Sequence, residues 1–128
     1  MKDNLIFHFF FLWDILDYKK ILGGFIMNLD NLNKKIKEED IFVLYIKSKT
    51  CSVCTELLPK VEEVAQAMNV EFLDLYIEEN REVGSQYMVF SAPTIIVFAM
   101  GKEVYREGRF LRPSDLERTI SKYKELLL

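Results

Sequence analysis

The chain is poor in the residues that staple or ligate: 128 residues include two cysteines, one histidine, one tryptophan, three prolines and five glycines. Two cysteines cannot frame a disulfide-rich secreted scaffold. Cys51 and Cys54 lie three residues apart, so a bridge between them closes too small a loop to constrain the unfolded chain much. His8 falls within residues 1–26, expected to be a leader outside the domain, which leaves no Cys/His catalytic pair and no nearby imidazole ligand. Positive charge is also short: 17 Lys and Arg face 20 Asp and Glu, a net charge of −3. That balance excludes the basic footprint of a nucleic-acid binder. Lys34, Lys35 and Lys37 form the one basic cluster, and Glu38, Glu39 and Asp40 follow directly, as on a solvated helix face. There are no internal repeats and no low-complexity segments. No apolar stretch approaches the ~20 residues of a spanning helix.

What is present suits one globular domain. Half the residues are hydrophobic and 29% are charged, which supplies a core for one domain but not comfortably for two. Residues 1–26 stand apart. Leu5 to Trp13 is a dense aromatic run, with Asp14 and Asp17 soon after. Those charges come too early for a membrane span. A signal peptide is disfavoured by the absence of a net positive first segment and of a small-residue cleavage site. Gly23-Gly24, followed by Phe25, Ile26 and Met27, matches the translation of a ribosome-binding sequence lying ahead of a start at Met27. Residues 1–26 are therefore expected to be a leader from a mis-called start. An anchor or membrane-surface segment and a cleaved export signal are the alternatives. Residues 27–128 are the expected domain, and membrane contact is expected only if residues 1–26 are retained.

From Asn28 the pattern is regular. Leu29, Leu32 and Ile36 predict a short amphipathic helix from Leu29 to about Glu38, capped by Asn28 or Asp30. Ile41 to Ile46 is a continuous apolar run, the pattern of a strand buried on both faces. Cys51-Ser52-Val53-Cys54 comes next, opening a helix with apolar Val53, Leu57, Val61, Val64 and Met68. Thr50 stands at its expected N-cap, and Pro59 is expected to interrupt and kink it. Val70 to Ile77 predicts a second strand, and Glu78 to about Tyr87 a short helix. Ala92-Pro93 leads into a third strand, Thr94 to Ala99, and Gly101-Lys102 turns it into a hairpin with Glu103 to Arg106. Gly108 reads as a bulge position. Ser114-Asp115-Leu116-Glu117 fits a capping box opening a last helix with the stripe Leu116, Ile120, Tyr123 and Leu127. The order α-β-α-β-α-β-β-α implies a parallel first pair with a right-handed crossover and an antiparallel closing hairpin. The expected fold class is α/β, a mixed four-stranded central sheet with helices on both faces.

A Cys-x-x-Cys at a strand-to-helix junction is a redox motif or half of a tetrahedral metal site. Further landmarks bear on the choice. Pro59 lies eight residues after Cys51, Ala92-Pro93-Thr94 precedes the third strand, and Gly101 and Gly108 bracket the hairpin. With these residues and this element order, the chain from about Met27 to Leu128 resembles the thioredoxin family. The resemblance implies a thioredoxin-like fold and a thiol-disulfide oxidoreductase that reduces protein disulfides in the cytoplasm without a bound cofactor or metal. Its implied partners are disulfide-containing proteins and a thiol or reductase electron donor. It also implies a cis bond at Pro93, with Ala92, Pro93 and Thr94 contacting an extended substrate segment.

Four departures mark the chain as divergent. Ser52-Val53 replaces the family's usual Gly-Pro, and Thr50 replaces the usual Trp. Tyr45 stands six residues before Cys51, where thioredoxins carry a buried acid, and Asp74 stands where the next strand often has a lysine. Two readings of Asp74 stay open: a proton-handling group near the cysteines, bonded to Tyr45, or a partly exposed strand residue.

The attacking species in disulfide exchange is the thiolate. A cysteine in a first helical turn faces unpaired N–H groups and the positive end of the helix dipole, so Cys51 is the expected nucleophile. Cys54, one turn further in, is the expected resolving thiol. Lys47 and Lys49 read as solvated and are discounted. Two other functions compete: an adaptor whose groove binds partners without turnover, and a metal module in which two chains share an ion through Cys51 and Cys54.

Overall fold

The computed structural model describes residues 28–127, so the expected leader and its boundary at Met27 lie outside the described residues. The elements run α1 Leu29–Glu38, β1 Ile41–Lys47, α2 Ser52–Ala67, β2 Glu71–Tyr76, α3 Arg81–Gln86, β3 Thr94–Ala99, β4 Lys102–Glu107 and α4 Pro113–Leu126. The sheet order is β2-β1-β3-β4. β1 pairs parallel with β2 and antiparallel with β3, and β3 pairs antiparallel with β4.

β1 is central because Ile41 to Ile46 carry hydrophobic side chains to both faces and are all buried. Strand periodicity sends alternate residues to opposite sides. Ile41, Val43 and Tyr45 join Cys54, Leu57 and Val61 of α2 and Leu116 and Ile120 of α4 in one core. Phe42, Leu44 and Ile46 join Leu32 and Ile36 of α1 and Val83 of α3 in the other. The sheet is thus covered on both faces, as a buried parallel pair requires.

Local chemistry sets the element ends. Asn28 caps α1, its side chain accepting from the Asp30 N–H at 2.7 Å. α2 is capped by Cys51 rather than Thr50, and it runs through Pro59 without interruption. The helix expected from Glu78 to Tyr87 is divided into a 3-10 turn, Ile77–Glu79, and α3. Asn80 causes the division: it is non-helical (φ −136°, ψ 53°), and its side-chain amide donates to the Tyr76 carbonyl at 2.8 Å.

Met100 and Gly101 make the hairpin turn with φ 53° and 81°, a pairing that glycine eases at the second position. The bulge expected at Gly108 lies at Val104 instead: Val97 pairs with Tyr105 and Phe98 with Glu103, leaving Val104 as the extra residue. The capping box is not formed. α4 starts at Pro113, with Arg112 at the N-cap and no side-chain cap bond. Proline's fixed φ suits the first helical position, so the helix begins early and Ser114 falls inside its first turn.

Candidate active site

The C-terminal end of β1 delivers the chain to Cys51. The Cys51 N–H donates to the Ser48 carbonyl at 3.2 Å, and Cys51 then caps α2 with its own sulfur. Its Sγ accepts the Cys54 N–H at 3.1 Å. Cys51 and Cys54 are joined in a disulfide with their Cα atoms 5.3 Å apart. The two sulfurs are not equivalent. Cys54 is 1% exposed, whereas Cys51 is half-buried at the surface. When the bridge opens, an N–H already aimed at the Cys51 sulfur can stabilise a developing anion, and the end of a 16-residue helix adds its dipole.

The cleft beside Cys51 has a volume of about 370 Å³ and is lined by Ser48, Thr50, Ser52, Val53, Ala92, Pro93 and Arg109 besides Cys51 itself. The Ala92–Pro93 peptide is cis, and the Ala92 carbonyl oxygen lies 3.7 Å from the Cys51 sulfur. The structure therefore brings Ala92 and Pro93 to the cysteines. Thr94 does not line the cleft. It is buried, and its hydroxyl donates to the Ser91 carbonyl at 2.6 Å, holding the turn before Pro93. A larger cavity of about 580 Å³, lined by Ile41, Met68, Glu71 and Lys124 among others, opens where β1 and β2 begin, at the far end of the sheet from Cys51.

Tyr45 and Asp74 are opposite each other in the β1/β2 register, but they do not bond as expected. The Tyr45 hydroxyl donates to the Cys54 carbonyl at 2.7 Å. Asp74 instead accepts from the Lys47 ammonium at 2.6 Å. A carboxylate gains more from a cation than from a phenol, and Lys47 lies two residues on from Tyr45, on the same face of β1. Burial first, and the Asp74 charge second, push the Tyr45 hydroxyl up to about 12.

Lys47 is therefore not the solvated lysine its place at a loop flank suggested. Its side chain is 17% exposed and its ammonium also lies 4.4 Å from the centroid of the Tyr76 ring. Strand alternation counted from Tyr45 would have found it.

Two acids unmarked in the sequence hold the loop before Cys51. Glu78 accepts from the Ser48 hydroxyl at 2.7 Å and the Lys49 N–H at 2.9 Å. Those two bonds, the hydroxyl's first, hold its carboxyl below the usual carboxylate range. Glu79 pairs with the Lys49 ammonium at 2.8 Å. Arg106 of β4 donates to the Tyr87 and Met88 carbonyls at 2.7 and 3.0 Å, tying down the segment that leads to Ala92. Among the described residues no group of three or more His, Cys, Asp or Glu side chains is gathered as a metal site would need. No described helix is long and apolar enough to cross a membrane.

The family model that matches this sequence is Thioredoxin, over residues 25–122. The chain is 28% identical over 100 residues to the thioredoxin-like protein YdfQ of Bacillus subtilis, covering 77% of this chain and 89% of that one. Thioredoxin 1 of Thermosipho africanus is 30% identical, with a TM-score of 0.62 over 66% of this chain and 96% of the other. A mutant thioredoxin from Halobacterium salinarum shares the fold at a TM-score of 0.70 and 23% identity, covering 77% and 87% of the two chains.

Proposed function

The chain belongs to the thioredoxin family, and from that premise we propose that it reduces protein disulfides through Cys51 and Cys54. Thiol-disulfide exchange is the general chemistry that the family and the bonded Cys51–Cys54 pair support. The direction, the roles of the two sulfurs and the partners are the proposal. One observation carries it: the sulfur open to the cleft is also the atom that receives a helix N-terminal N–H, while its partner sulfur is buried.

In the mechanism, the Cys51 thiolate attacks one sulfur of a partner disulfide. A Cys51–partner S–S bond forms, the partner's own S–S bond breaks, and the departing thiolate takes a proton from solvent. Cys54, deprotonated, then attacks the Cys51 sulfur. The mixed disulfide breaks, the intramolecular bridge forms, and the partner leaves with both sulfurs reduced. The two electrons gained by the partner are returned to this chain by a thiol or reductase donor. Ala92 and Pro93 present cleft backbone to an extended substrate segment, and Thr94 supports them from behind. The proposal places the reaction in the cytoplasm, where cysteines are kept reduced.

The test is catalysed reduction of a disulfide-bridged peptide with dithiothreitol as electron source, together with equilibration against glutathione. A reductant is expected to speed peptide reduction and to equilibrate at a potential near thioredoxin's, about −270 mV, well below that of a strong oxidant at about −120 mV. No acceleration over dithiothreitol alone removes the enzyme reading. A potential near the oxidant value reverses the proposed direction.

Asp74 is proposed to act on this exchange through Lys47, the pair setting the charge near the buried end of the site. Asp74→Asn leaves the Lys47 ammonium without its carboxylate, and the pH profile of exchange is expected to move by about half a unit or more, at ~1.4 kcal/mol per unit. A profile that stays in place takes Asp74 out of proton handling.

A further inference from the structure

Among the described residues, Arg109 is the one charged side chain lining the Cys51 cleft. It follows Gly108 on the loop from β4 to α4 and is exposed. The described residues give it neither an ion pair nor a hydrogen bond, and its guanidinium lies 5.6 Å from the centroid of the Phe110 ring. The nearest acid in sequence is otherwise engaged: the Glu107 carboxylate accepts from the Gly108 N–H at 2.9 Å. By contrast Lys47, Lys49 and Arg106 are each bound to a carboxylate. Near the cleft, the chain also exposes large apolar rings. Phe110, beside Arg109, is 81% exposed, and Phe90, two residues before Ala92, is 90% exposed.

We propose that Arg109 selects the substrate: the cleft takes an extended peptide segment in which an aspartate or glutamate lies beside the cysteine of the disulfide. This rests on the disulfide-exchange reading above and adds the class of partner. The carboxylate meets a guanidinium with its donors free, in a fork geometry suited to it. The exposed rings give apolar contact without regard to charge, so discrimination falls to Arg109. The charge acts mainly on encounter and on the choice between partners. At a half-open cleft the pair is screened by water, which sets the size of the effect.

The experiment compares kcat/KM for two synthetic peptides, each closed by one disulfide and identical except for Glu or Lys on either side of one cysteine. The full chain is used with dithiothreitol as electron source. The native protein is expected to favour the Glu peptide about fivefold, which is about 1 kcal/mol at ~1.4 kcal/mol per factor of ten. Raising the salt from about 0.01 M to about 1 M shortens the screening length from ~30 Å to ~3 Å and should bring the ratio near one. Arg109→Gln should abolish the preference and Arg109→Glu should reverse it. Lys102→Gln removes a cation at the far end of β4 and should leave the ratio as it was.

A change in Cys51 acidity on losing Arg109 alters both rates alike, so the ratio isolates recognition. An Arg109→Gln protein that keeps the native ratio overturns the proposal, as does an equal loss in Lys102→Gln. If both peptides are reduced at one rate by the native protein, charge selection is refuted while the exchange reading stands. If neither is reduced, the exchange reading fails and this inference falls with it.

Discussion

Cys51→Ser is expected to bring disulfide reduction down to the background rate, a loss of more than about a thousandfold on the scale seen when a nucleophile is removed. The loss will not reflect a damaged fold. The Cys51 side chain caps α2 by accepting the Cys54 N–H, and serine is among the best residues at that position. Thermal unfolding of Cys51→Ser and the reduced native protein should therefore agree to within about 1 kcal/mol. Cys54→Ser should fail differently. The first attack remains but nothing resolves it, so a covalent adduct of chain and partner accumulates and dissolves on adding dithiothreitol. Intact mass under non-reducing conditions reads this directly. A Cys51→Ser protein that loses turnover yet keeps full function in cells would favour the adaptor, a groove that binds partners without exchange chemistry. An adduct formed by Cys51→Ser but not by Cys54→Ser would invert the two roles.

The second large effect lies one layer below. Tyr45 is fully buried, packed in the core with Cys54, Val61 and Ile95, and bonded to the Cys54 carbonyl. Tyr45→Ala empties a ring-sized space, and losses of ~3–5 kcal/mol are usual for such truncations. Tyr45→Phe keeps the ring and removes only the hydroxyl, which should cost about 1 kcal/mol. Urea midpoints at neutral pH separate the two.

The pH dependence has a definite sign. The phenol is held up to about 12 in the folded protein, against 10.0 ordinarily, so above pH 10 the unfolded chain ionises first and gains on the folded one. Stability is expected to be level below about pH 10, and to fall as the pH rises towards 12, by up to ~1.4 kcal/mol per pH unit from this group. Tyr45→Phe should lack that component. Parallel pH curves for the two proteins would mean that the phenol ionises as readily inside the fold as outside.

The chain pattern made most of the fold legible because its elements are chemically unmixed. Ile41 to Ile46 has no polar residue to dispute a buried strand, and Leu29, Leu32 and Ile36 leave only one helical face. The misses came where two local preferences competed. At α4 the capping box gave way to Pro113, whose backbone is already shaped for a first helical turn. Asn80 looked like part of a helix, yet its backbone stands outside helical geometry while its amide bonds to the Tyr76 carbonyl.

At the site, Cys51, Cys54 and the approach of Ala92 and Pro93 were legible from spacing and from family likeness. The pairing of Asp74 was not, because adjacent strands place Tyr45 and Lys47 within reach of one carboxylate and only charge decides between them. Arg109 offered no signal at all. Nothing in Gly-Arg-Phe says that the loop from β4 to α4 returns to the cysteines; that follows from the sheet order, which sets β4 beside β3 and so brings its end back to the strand that begins after Pro93.

In the proposed cycle, the atom that caps α2 is also the atom whose charge and bonding change at each step. The Cys54 amide hydrogen is consequently a resident spectroscopic probe of the reaction. It needs no label at the cysteines and no bound ligand, because its acceptor is the Cys51 sulfur itself. A backbone signal of this one amide is expected to distinguish bridge, thiolate and partner-bonded sulfur in the intact protein.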